Sequence, residues 1–100
     1  MRISVDQNHP DFHEGAPQCR VFLAGSERCN VVTADEQGRF AITFRLDDQG
    51  RPILKAGDFQ RELFHGDVRI DAPGIIRLQR ELIEAGVVEP EPIAFHWPFP

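Results

Sequence analysis

The sequence predicts a mainly β fold of the α+β class: a small antiparallel β-barrel or roll of five to seven strands, one C-terminal helix, and an extended tail rich in proline and aromatic residues. Three observations carry this. Arg39-Phe40-Ala41-Ile42-Thr43-Phe44-Arg45-Leu46 alternates apolar and polar over a full strand length. Two related turn sequences, Asp35-Glu36-Gln37-Gly38-Arg39 and Asp47-Asp48-Gln49-Gly50-Arg51, bracket that strand. A helical period appears only after Asp71, over about 72–85.

Taken in order, 2–5 reads as a short edge strand. Residues 6–17 sustain neither period and are broken by Pro10, Gly15 and Pro17, so they form a loop, with Phe12 available to pin it to the body. Cys19-Arg20-Val21-Phe22-Leu23 is a strand with Cys19, Val21 and Leu23 inward. Gly25-Ser26-Glu27 turns the chain, and 29–33 returns antiparallel to 19–23. The acidic clusters at 35–36 and 47–48 lack the alternating ligands and distal Glu of a calcium loop. They suit a turn closed by glycine at positive φ. Residues 29–33, 39–46 and 52–55 then form a meander, with Phe40, Ile42, Phe44 and Leu46 on its dry face.

A further strand runs from Phe59 to Phe64 and continues through Val68-Arg69-Ile70, with Gly66 marking a bulge or a close approach. Asp71 is placed to cap the helix and Pro73 to sit in its first turn. Ile75, Leu78, Leu82 and Ala85 recur on its inner side, while Arg77, Arg80, Glu81 and Glu84 take the outer side. Gly86 ends it. The expected core is Val21, Leu23, Val31, Phe40, Ile42, Phe44, Leu46, Leu54, Phe64, Val68, Ile70, Ile75, Leu78 and Leu82. Residues 1–89 make one β-rich domain, and 90–100 make the tail.

One hundred residues bury about two-thirds of their unfolded surface, enough for one core without metal or disulfide. The formal net charge of −5 and the scattered basic residues argue against nucleic acid and anionic membrane as partners. No apolar run reaches spanning length and the first residues lack a signal-peptide core. The expected location is the cytoplasm. Cys19 and Cys29 fall outside bridging range in either hairpin register and read as small hydrophobes.

Candidate sites are few. His9 and His13 are four apart, but Pro10 breaks the helix that would align them, and there is no C-x-x-C, so no metal or other cofactor is expected. His65 and Asp67 offer a general base with an orienting carboxylate, for a small-ligand or enzymatic site. No nucleophile or oxyanion donor is marked beside them. In the tail, Ile93, Phe95, Trp97 and Phe99 alternate as large apolar anchors, suited to a strap over the domain or an arm that docks on another subunit.

The order of parts in the first 71 residues, with "CRVFLAGSERCNVVTADEQGRFAITF" and later "RELFHGDVRID", resembles small uncharacterised proteins encoded in prophage and tailed-phage gene clusters. That resemblance implies a bacteriophage context, in the bacterial host cytoplasm or in the virion, and a structural or assembly role. It supplies no catalytic residues. The expected function is a non-enzymatic protein–protein interaction module acting through the helix and Ile93, Phe95, Trp97 and Phe99; the alternative is a ligand-binding or enzymatic domain around His65 and Asp67.

Overall fold

The computed structural model describes residues 1–87. Its strands are β1 (Arg2–Ser4), β2 (Arg20–Leu23), β3 (Ser26–Arg28), β4 (Val31–Asp35), β5 (Phe40–Phe44), β6 (Leu54–Lys55), β7 (Asp58–Phe59), β8 (Arg61–His65) and β9 (Val68–Asp71). A 3₁₀ turn spans Ala16–Gln18, and the helix α1 spans Gly74–Glu84. The strands divide into a four-stranded sheet in the order β1-β4-β5-β8, a three-stranded sheet in the order β3-β2-β9, and the two-stranded β6-β7 ribbon. The strand pairs in these sheets are all antiparallel. The fold is thus mainly β with one helix, and no closed barrel joins the sheets among the described residues.

One core lies between the two larger sheets and α1. The four-stranded sheet contributes Ile3, Ala34 and Ala41; the other contributes Val21, Leu23, Val68 and Ile70; the helix contributes Ile76. Register explains the grouping. Ile3 pairs with Ala34, Ala34 with Ala41, and Ala41 with Phe64, so these side chains share a face. Val21 pairs with Ile70, and Leu23 with Val68.

The alternating strand is present as β5, but its faces are reversed. Ala41 and Thr43 are buried, whereas Phe40, Ile42 and Phe44 are half-buried on the opposite side. Small side chains on the inner face let the second layer approach closely. Of the expected core, Val21, Leu23, Val68 and Ile70 are buried and Val31 and Phe64 pack against it, but Leu46, Leu54, Ile75 and Leu78 are exposed.

Pairing departs from the expected meander in two places. The strand returning on β2 is β3, through Ala24 and Gly25, both at positive φ. This two-residue geometry matches strand twist even though alanine is strained there. Residues 31–35 go instead to β1 and β5. Residues 54–55 fold back on 58–59, leaving the place beside β5 to β8. Gly66, at φ 148°, hands the chain from β8 in one sheet to β9 in the other. A Cβ there would lie 3.0 Å from the Phe64 ring, the close approach expected at this glycine.

Candidate functional site

The helix is oriented by charge. Arg80 is 1% exposed and points inward, donating from Nε to the Arg2 carbonyl at 2.9 Å and from Nη2 to Asp11 Oδ1 at 2.8 Å. Its i,i+4 partner Glu84 lies 3.6 Å away and accepts from the Arg2 N–H at 2.8 Å. One turn earlier, Arg77 turns to Glu36 and to the Ile70 carbonyl. Glu36 also accepts the Ile70 N–H at 2.8 Å and lies 3.2 Å from the Met1 amino group. Burial pushes the Glu36 carboxyl up, but the Ile70 N–H, the Arg77 guanidinium and the amino group together hold it below the usual carboxylate range.

With Ile76, Arg77, Arg80 and Glu84 turned inward, the apolar series of α1 faces out. Ile75 is 63% exposed and Leu78 53%, with Leu82 half-buried beside them. This inverts the expected inner and outer faces. Isolated arginines usually stay wet, but here the Arg2 carbonyl of the sheet, Asp11 of the 6–13 loop and Glu84 of the helix itself meet Arg80 at one place. Pro73 occupies the N-cap without a side-chain cap, because Asp71 belongs to β9. Gly86 takes positive φ at the helix end, as its position implied.

The two edges of the four-stranded sheet differ. In β1, Ile3 pairs towards β4, so the main-chain groups of Arg2 and Ser4 point outward. All are paired: Arg2 N–H to Glu84, Arg2 C=O to Arg80, Ser4 N–H to the Asp11 carbonyl, and Ser4 C=O to the His13 N–H. At the far edge, Gly66 N–H to Arg39 C=O and Arg45 N–H to Gln60 C=O fix which residues of β8 bond to β5. By that alternation Arg61, Leu63 and His65 direct their N–H and C=O groups away from β5, and no main-chain partner meets them among the described residues.

The outer face of this sheet opens in the same direction. Ser4, Thr33, Ile42 and Leu63 form one cross-strand row. Along it, exposure passes from 1% at Ser4 and 4% at Thr33, through half-buried Ile42, to 59% at Leu63. The 6–13 loop covers the β1 half, held by Ser4 and by His13, whose Nδ1 accepts the Gly15 N–H and whose Nε2 meets Gln79. Phe12 is half-buried and bridges to Ser4, the pinning expected of it. Near β8 the face opens at Leu63, which stands between Arg61 and His65. Phe44 is covered by exposed Phe59, edge-on at 5.8 Å, and by the Arg61 guanidinium, which also pairs with Asp6 at 3.4 Å.

His65 and Asp67 are both exposed, on the last residue of β8 and in the turn after it. The best-formed groove, of about 530 Å³, lies elsewhere, between β2, β3 and β4, with Cys19, Cys29, Val31 and Phe44 in its wall. Both cysteines are free, and burial pushes the Cys19 thiol up, away from reactivity. Among the described residues no three His, Cys, Asp or Glu side chains gather as a metal site, and no helix is long and apolar enough to cross a membrane. Ile93, Phe95, Trp97 and Phe99 lie outside the described residues. The edge of β8 and the outward stripe of α1 are the surfaces sequence reasoning missed. The alternation at 61–65 was too weak to mark an edge, and the stripe was legible but assigned to the core. Comparison with protein-family models, curated proteins and solved structures returns no match.

Proposed function

We propose that this chain is a non-enzymatic interaction module that self-associates through α1 and its C-terminal residues. The reading is supported above all by the outward stripe of Ile75, Leu78 and Leu82. The stripe stays outside while an arginine is buried on the same helix. Covering an exposed large aliphatic side chain contributes about 1.5–3 kcal/mol, so Ile75 and Leu78 alone reward a second copy. The net charge of −5 favours a protein partner over nucleic acid or an anionic membrane. The resemblance of residues 1–71 to prophage and tailed-phage proteins suits a structural role in an assembly, in the bacterial host cytoplasm or in the virion.

Sedimentation equilibrium of the full chain tests this. Reversible dimerisation is expected, with Ile75→Lys combined with Leu78→Lys raising the dissociation constant at least about tenfold. A monomer at every concentration would count against the proposal.

A further inference from the structure

We infer that the open edge of β8 is a strand-addition site, and that its occupant is the 93–99 segment of a second copy, added antiparallel. This rests on the reading of the chain as a self-associating module and says where and how the C-terminal residues engage. An exposed edge that offers unpaired N–H and C=O groups beside an apolar face is a template for another strand. Here the groups are those of Arg61, Leu63 and His65, and the face beside them carries exposed Leu63 next to half-buried Ile42, flanked by Arg61 and His65.

The sequence of the occupant matches that edge in two independent ways. Pro90, Pro92, Pro98 and Pro100 all fall on even positions. In an extended strand, alternate residues turn their main-chain groups to opposite sides. The even positions can therefore face away from β8 with no N–H missed. The odd positions Ile93, Phe95, Trp97 and Phe99 keep every donor needed to pair. In an antiparallel hydrogen-bonded pair the two side chains also share a face. Odd residues bonded to Arg61, Leu63 and His65 would set their apolar side chains on the outer face, beside Leu63 and Ile42. Of the far-side positions Ala94, His96 and Pro98, only Pro98 lacks a donor, and Pro92 and Pro100 flank the strand without one, so its far edge is short.

Reach favours a second copy over the same chain. α1 ends at β1, where Glu84 holds the Arg2 N–H, and β8 is the opposite edge of that sheet. Four strand spacings, about 19 Å, separate β1 from a strand added outside β8. From Val87 to Ile93 the chain spans at most about 20–22 Å when fully extended, which leaves almost nothing beyond the straight-line separation. A path that must also pass around a packed layer exceeds this.

Amide hydrogen exchange of the full chain, read residue by residue across a dilution series, is the test. The amides of Arg61, Leu63 and His65 should gain protection as concentration rises, by about tenfold or more. Phe95→Pro should weaken association at least about tenfold beyond Phe95→Ala, whereas His96→Pro should stay within about twofold of the parent. If Phe95→Pro behaves as Phe95→Ala does, main-chain pairing is overturned. Protection independent of concentration in a monomer would overturn the second copy in favour of the chain's own segment. Association with all three amides unprotected would overturn strand addition and leave self-association standing. A monomer with unprotected amides would overturn both.

Discussion

The strands β1 and β8 bound the same sheet and are treated in opposite ways. Every outward main-chain group of β1 is taken by a partner, two of them by side chains from the helix. The outward groups of β8 meet none among the described residues. Edge strands are the places where sheets recruit other chains, and proteins that do not want this cover them. The covered edge shows that this chain has the means to do so. Arg80, Glu84 and the 6–13 loop are spent on one side, and Leu63 is left in the open on the other. The edge of β9 is covered at Ile70, with Glu36 on its N–H and Arg77 on its carbonyl.

The contrast can be broken most severely at Arg80. Arg80→Ala removes the donor to the Arg2 carbonyl and leaves Asp11, largely buried, with only the Arg2 guanidinium at 3.4 Å, and Glu84 with only the Met1 amino group at 3.9 Å. A loss of about 3 kcal/mol is expected, seen as a fall in Tm of roughly 10–20 °C on thermal unfolding. Glu36→Gln acts on the β9 edge and should cost about 1–2 kcal/mol at neutral pH by urea unfolding. It also carries a pH signature. The folded carboxyl lies below its ordinary value of 4.5, so its contribution is fully present above that value and fades as pH falls through the lower folded one. The parent should lose stability over that acid window, and Glu36→Gln should lose less. The smallest effect is expected at the open edge. Leu63→Lys should change monomer stability by no more than about 0.5 kcal/mol, because the side chain is already in water. A loss above about 2 kcal/mol there would mean that β8 is not the open edge described.

Much of the secondary structure was legible, and the sidedness was not. The alternation of 39–46 marks a strand with two unlike faces. It cannot say which face meets a second layer, and Ala41 and Thr43 are inward because the opposing sheet comes close on that side. The helix misled in the same way. Its stripe at 75, 78 and 82 has the pattern of a buried face, yet orientation is decided by Arg2, Asp11 and Glu36, which meet α1 only in the folded chain. Strand pairing failed where one turn departed from type. Ala24 at φ 51° and Gly25 tighten the first hairpin, so the next strand is released to the other sheet. Of the proposed strand-addition site, the apolar residues of 93–99 were visible from composition and alternation. The edge of β8 was not, since an edge is a property of sheet order and no local pattern records it.

The hold of Arg80 on the Arg2 carbonyl spans 78 residues of sequence. During synthesis β1 is made first of the strands, and the residue that seals its Arg2 carbonyl follows 78 residues later. At ordinary translation rates the interval is roughly 4–16 s, and over that time the Arg2 carbonyl lacks its guanidinium, whereas Asp11 and His13, which pair with the Ser4 main chain, follow within a few residues. The helix is thus a late seal on the first strand: until Arg80 and Glu84 are joined, the main chain of Arg2 can bond only to water.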